Sequence, residues 1–132
     1  MKTLYLLMFP IISIGQTVEE VRKELIEQRV DHYEIVLAQS ILETGWYKCE
    51  GCSMDKNNLF GLWNHKKQEY YEYISWQESV GGYIRGIQYK YDETKYSDYY
   101  EFLTSIGYAS DPSYINKLKR ITEKLRNYGD EK

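Results

Sequence analysis

Apolar side chains recur at helical spacing along most of this chain, and the places where that rhythm fails divide it into elements. Val18, Val21, Leu25 and Ile26 form a stripe running to about Val30, opened by the capping-box pair Thr17 and Glu20. A denser run, IVLAQSILETGW at 35–46, is broken only by Gln39, Ser40, Glu43 and Thr44. It is too long for one buried strand and lacks strict alternation, so it predicts a buried central helix. Asp31, with Glu34 three residues on, is the expected N-cap of that helix, and Gly45 its C-cap. Rhythm is then lost. Leu59 to Trp63 predicts a short strand, 64–67 a turn, and the aromatic EYYEYIS at 69–75 a second strand. Ser75 and Glu78 open the next helix, carried by Val80, Tyr83, Ile84, Ile87 and Tyr91, in which Gly81, Gly82 and Gly86 permit close approach of a neighbour. Ser97 or Asp98 caps a shorter helix stopped at Gly107. Pro112 precedes the last stripe of Ile115, Leu118, Ile121 and Leu125, with fraying expected after Asn127. The expected architecture is mainly α within an α+β class, with one small hairpin inserted after the central helix.

Length and charge narrow the class. The 132 residues make one domain, without internal repeat or linker. A net charge of -3 argues against a general nucleic-acid binder, and among residue types tyrosine is the outlier, with fifteen. Tyrosine, a ring with a polar tip, suits a surface that grips sugars or peptides as well as half-buried packing. Lys66 and Lys67, or the 117–120 region, would supply a basic patch for an anionic polymer. Residues 1–15 read as a secretory signal: Lys2, an apolar centre at 4–12, and the small residues Ser13 and Gly15 at the cleavage site. That centre is too short to span a bilayer, which leaves residues 16–132 as the mature domain, periplasmic or secreted, with no membrane span. Cys49 and Cys52 share one loop, and in an oxidising compartment a local disulfide is expected. His32 and His65 lack ligand spacing with them, so no metal is expected, and no cofactor.

Glu43 carries the candidate chemistry. It stands near the C-terminal end of a mostly apolar helix, one turn beyond Gln39 on the same face. Burial and the negative end of the helix dipole both disfavour its charged form, which is what a general acid near neutral pH requires. The competing reading is a solvated glutamate on the polar edge of an amphipathic helix. Trp46 and Trp63 serve either as platforms for sugar rings or as core.

Three motifs in order, AQSILETGW at 38–46, NNLFGLW at 57–63 and GYASDPSYINKL at 107–118, resemble the glucosaminidase family of bacterial cell-wall hydrolases across essentially the whole of 16–132. The resemblance implies a lysozyme-like fold, with an α lobe carrying the acid, a small β lobe and a cleft between them. It implies cleavage of the β-1,4 bond between N-acetylglucosamine and N-acetylmuramic acid, with peptidoglycan glycan strands as partner. Glu43 matches the family's catalytic acid, and Tyr108 the tyrosine of its YA-(T/S)-DP motif beside that acid. Asp111 and Tyr114 belong to the same motif, Asp111 with a capping role for the last helix. Asn58 matches the NLFG motif, fixing a loop through its side chain. Gln39, Trp46, Trp63, Asn58 and Tyr114 are the expected substrate-binding residues.

Glycoside hydrolysis usually takes two carboxyl groups. Within the expected hairpin only Glu69 and Glu72 are acidic, and their odd separation on a strand lets at most one face the cleft. Glu72, nearer mid-strand, is preferred. The alternatives are Glu69, attack by the substrate's own N-acetyl group, or exposed strand charges with no catalytic part. Two other functions remain open: a glycan-binding module that does not cut, and a lytic transglycosylase using a single glutamate on the same kind of fold.

Overall fold

The computed structural model describes residues 16–130, and the expected signal segment 1–15 lies outside them. Five helices and one small hairpin follow in the order α1 Val18–Glu27, α2 Tyr33–Thr44, β1 Trp63–Asn64, β2 Glu69–Tyr70, α3 Trp76–Gly86, α4 Tyr99–Ser105 and α5 Tyr114–Asp130. The mainly α, α+β class read from the periodicity is the one observed. Caps form where the sequence places them. Thr17 accepts the Glu20 amide proton at 3.2 Å, Ser75 that of Glu78 at 3.3 Å, and Asp98 that of Glu101 at 2.8 Å.

α2 is the axis of the core. Val36, Leu37, Ala38, Gln39, Ser40, Ile41 and Thr44 are all buried, with α1 on one side and the Tyr114–Leu118 face of α5 on another. Fully burying each such aliphatic side chain contributes about 1.5–3 kcal/mol, so the packing of α2 dominates the stability of the domain. Its N-terminus differs from expectation. His32, in the left-handed region at φ 53°, occupies the cap position with no side-chain cap bond. The peptide groups of Asp31 are instead satisfied by one side chain, Gln88, whose Oε1 accepts the Asp31 N–H at 3.0 Å and whose Nε2 donates to the Asp31 carbonyl at 2.8 Å. A tertiary partner has displaced the local cap.

The C-terminus of α2 follows expectation: Gly45 is left-handed at φ 55° and caps onto the Ile41 carbonyl. Cys49 and Cys52 in the following loop are joined as a disulfide. The hairpin is shorter than the sequence suggests. Only Trp63↔Tyr70 and Asn64↔Glu69 pair as strands. The expected strand at 59–63 is mostly a buried irregular loop, and its backbone groups turn to a side chain. Asn58, fully buried, accepts from the Phe60 and Leu62 amides and donates to the Leu62 and Tyr71 carbonyls, four hydrogen bonds of 2.9–3.3 Å. The role expected for Asn58 from its motif, fixing the loop, is the one the structure gives it. α5 runs on to Asp130, past the fraying expected after Asn127.

Candidate active site

A cleft of about 940 Å³ opens at the end of α2, between the hairpin segment on one side and α3 with the loop at 106–111 on the other. Its floor is Glu43 and Gly61; its walls include Trp63, Tyr71, Tyr73, Arg85, Lys90, Tyr108 and Asp111. Glu43 arrives there because it is the penultimate residue of a buried helix, so its side chain leaves the core as the helix ends. Burial raises its pKa above the ordinary carboxyl value, and the Tyr114 hydroxyl, donating to Oε1 at 3.4 Å, offsets part of that rise. Oε2 lies on the other side, 2.7 Å from where a Cβ on Gly61 would stand. Gly61 is left-handed at φ 63°, so glycine is favoured at this position both by the backbone and by the space.

Tyr108 lines the cleft with its hydroxyl donating to the Phe60 carbonyl at 2.6 Å and its ring stacked on Tyr114 at 5.7 Å between centroids. The loop before α5 is thereby tied to the loop that carries Gly61. Asp111 is exposed at the cleft edge. The hydrogen bond from Lys117 at 2.7 Å, then those from the Ser113 hydroxyl and amide, hold its carboxyl well below the usual range. It serves the helix start as expected, and stays ionised.

Five expected site residues do not reach the cleft. Tyr114, expected to bind substrate, is buried and stands behind Glu43, its hydroxyl between Glu43 and Gln39. Gln39 has no exposed surface; it sits behind Glu43 and donates to the Tyr114 hydroxyl at 3.4 Å. Asn58 is likewise sealed in its loop. Trp46, left-handed after the Gly45 cap, faces α5, where the Lys124 ammonium lies 5.0 Å from its ring centroid. Glu72 is not on the wall either. β2 ends at Tyr70, and along the extended chain beyond it Tyr71 and Tyr73 both line the cleft, so the intervening Glu72 is turned outward and exposed. Glu69 instead pairs with Lys56 at 3.5 Å. Glu43 and Asp111 are thus the carboxyl groups on the cleft wall among the described residues.

Trp63 does line the cleft, 40 % exposed and set edge-on to Tyr70. Sequence reading missed Gly61, Tyr71 and Tyr73, and it sought cations at Lys66, Lys67 and 117–120 where the cleft carries Arg85 and Lys90. The signal for Gly61 lay in the NLFG motif, and that for Tyr71 and Tyr73 in the alternation of EYYEY. Nothing local marks Arg85 or Lys90.

A helical body whose buried central helix delivers a desolvated carboxyl group to an open cleft beside a small hairpin has the lysozyme-like α+β architecture. Residues 18–127 match the Glucosaminidase family, described as mannosyl-glycoprotein endo-beta-N-acetylglucosaminidase, and the chain belongs to that family. Membership supports glycoside hydrolase activity. A search of curated proteins gives no match.

Proposed function

We propose that the domain is an endo-β-N-acetylglucosaminidase that hydrolyses the β-1,4 bond between N-acetylglucosamine and N-acetylmuramic acid in peptidoglycan, with Glu43 as general acid. The observation that carries this is Glu43 itself: a carboxyl group whose pKa burial raises, at the floor of an open cleft walled by tyrosines and Trp63. The protonated Glu43 gives its proton to the leaving oxygen as the glycosidic bond breaks. Trp63 stacks on a sugar face. Tyr108 sets the position of the loop opposite Glu43 through the Phe60 carbonyl.

The second group is argued from what shares the cleft. Glu72 and Glu69 are off the wall, and the Asp111 carboxylate is engaged by Lys117 and Ser113. This arrangement favours the substrate-assisted route, in which the N-acetyl oxygen attacks the anomeric carbon as the leaving oxygen takes the proton from Glu43. Water then opens the intermediate, with Glu43, now a carboxylate, taking the proton from that water. Cleavage of 1–15 on export would place residues 16–132 where peptidoglycan lies. Among the described residues no helix is long and apolar enough to cross a membrane.

The test is mass spectrometry of borohydride-reduced fragments released from purified peptidoglycan. Reduced N-acetylglucosamine ends are expected. Reduced muramic acid ends would make the protein a muramidase, and anhydro ends a transglycosylase. Binding to the wall without release would overturn the enzymatic reading in favour of a binding module.

A further inference from the structure

Behind Glu43 a continuous line of buried polar groups crosses the core from one side of the domain to the other. The Gln88 Nε2 donates to the Tyr99 hydroxyl at 3.3 Å, and the Tyr99 and Tyr83 hydroxyls lie 2.6 Å apart. The Tyr83 hydroxyl donates to Gln39 Oε1 at 2.5 Å, Gln39 Nε2 to the Tyr114 hydroxyl at 3.4 Å, and Tyr114 to Glu43 Oε1 at 3.4 Å. Tyr83, Tyr99 and Gln39 are fully buried, and among the described residues no buried side-chain polar atom lacks a partner.

Hydroxyls and amides in such a line can in principle run in either direction. Here one end is fixed. A backbone N–H only donates and a carbonyl only accepts, so Asp31 forces Gln88 to turn its oxygen toward the Asp31 N–H and its nitrogen toward the Asp31 carbonyl and Tyr99. Tyr99 therefore accepts from Gln88 and spends its own proton on Tyr83. Tyr83 in turn spends its proton on Gln39, which must present Oε1 to it and Nε2 to Tyr114. Tyr114, already accepting, is left to donate to Glu43. A single peptide sets the polarity of the whole line.

We propose that Gln88, Tyr99 and Tyr83 are positioning residues for the acid: acting through Gln39, they hold the Tyr114 hydroxyl as a donor to Oε1 of Glu43, so that the catalytic proton resides on Oε2, the oxygen beside Gly61 at the cleft floor. This rests on the reading of Glu43 as the acid. Were Gln39 reversed, Tyr114 would donate to the glutamine carbonyl, and a proton on Oε1 would point back into the protein. The line decides which oxygen faces substrate with a proton. Glu43 also faces Tyr108 from the loop before α5, and its cleft carries His65, Arg85, Lys90 and Asp111; none of these belongs to the line, which meets Glu43 through Tyr114.

The test is a carboxyl-carbon NMR titration of Glu43 in the purified protein, alongside kcat and KM as functions of pH. Tyr83→Phe removes the donor to Gln39, freeing the amide to reverse. The Glu43 midpoint is expected to rise by about half a pH unit or more, as when a carboxylate loses a hydrogen bond. kcat is expected to fall about tenfold with KM within about twofold, because Tyr83 has no surface in the cleft. In a Tyr114→Phe background Tyr83→Phe should no longer move the midpoint. Tyr47→Phe is the control, deleting a buried hydroxyl 2.6 Å from Ser40 on the same helix, and should cost stability while leaving the midpoint in place. If Tyr83→Phe does not fold, Tyr99→Phe, expected to move the midpoint in the same direction by less, decides. An unmoved midpoint in both folded variants, or the same shift with Tyr114 absent, overturns the proposal. A line that shifts the titration in a protein that cuts no glycan would instead sink the assignment of Glu43 as acid and leave the line standing.

Discussion

Gly61→Ala isolates the geometry of the acid from the stability of the fold. Two costs arise at this residue. The backbone is left-handed at φ 63°, which for a residue with a Cβ costs about 1–2 kcal/mol. The new methyl would also stand 2.7 Å from Oε2 of Glu43, whereas carbon and oxygen in van der Waals contact keep about 3.3 Å apart, so the carboxyl group must retreat by about 0.6 Å or rotate away. The displaced atom is the far end of a side chain, so the retreat adds little to the folding cost. Its effect falls on chemistry, since misplacing a reacting group by about 1 Å can cost on the order of 100-fold in rate. The matched control is Gly51→Ala, left-handed at φ 69° with nothing within 4 Å of the added methyl. Both variants should lose about 4–8 °C in Tm, at about 4 °C for each of those 1–2 kcal/mol in a domain of this size. In a peptidoglycan-clearing assay run well below either Tm, Gly61→Ala should lose roughly 30- to 100-fold in kcat and Gly51→Ala less than about twofold. Equal activity in the two variants would refute the placement of the proton-bearing oxygen against Gly61.

Glu43→Gln should abolish cleavage while folding normally, and its stability should depend on pH in a definite direction. Burial raises the Glu43 pKa above its unfolded value, so the protonated form is the one the fold favours. The stability that this provides is complete below the unfolded pKa and is lost as pH rises through the folded one. Thermal melts should therefore coincide for the two proteins in acid and favour the glutamine variant at alkaline pH, and wild-type activity should fall as pH rises through the raised pKa; a melt difference independent of pH would contradict this. Trp63→Ala should raise KM about fivefold, the loss of about 1 kcal/mol of ring stacking, while Trp46→Ala loses its contact with Lys124, away from the cleft, and leaves KM unchanged. The converse pattern in kinetics on soluble glycan fragments would reverse their assignment. Asn58→Ala takes the side-chain partner from the Phe60 and Leu62 amides and the Tyr71 carbonyl, while the Leu62 carbonyl keeps the Tyr71 amide at 3.0 Å, and should cost about 3–5 kcal/mol in denaturant titrations; a loss under about 1 kcal/mol would mean that water replaces the side chain.

How much could be read in advance follows from the range of the interactions involved. The helices and three of their caps were legible because periodicity and capping are decided within four residues. Glu43 was legible for the same reason, its desolvation following from the apolar helix it ends. The cap of α2 was not, because Asp31 is held by Gln88, a side chain from beyond α3. The loop at 59–62 was misread as a strand because buried apolar residues look alike in both. Only the contacts of Asn58 show that the backbone is satisfied without a ladder. Glu72 was misplaced by extending the hairpin too far, although the alternation rule, applied to Tyr71 and Tyr73, puts it outside. Gln39 was correctly placed on the face of Glu43 and wrongly given to the substrate, since a shared face does not say whether it is open.

Gly82 on α3 extends the point made by Gly61. A Cβ there would fall 2.2 Å from the hydroxyl of Tyr73, so the tyrosine occupies the volume a side chain would have taken. The segment holding Tyr73 is also pinned from beneath, its amide donating to the Lys56 carbonyl at 2.9 Å and its carbonyl accepting from Asn57 at 3.0 Å. Helix and hairpin thus fit like a tenon in a mortise, the mortise being a missing methyl group. The width of the cleft on this side is then set by an atom the sequence omits. A single alanine at that place would act as a shim, prising the aromatic wall from the helix and changing what fits between them without touching any group that meets the reacting bond.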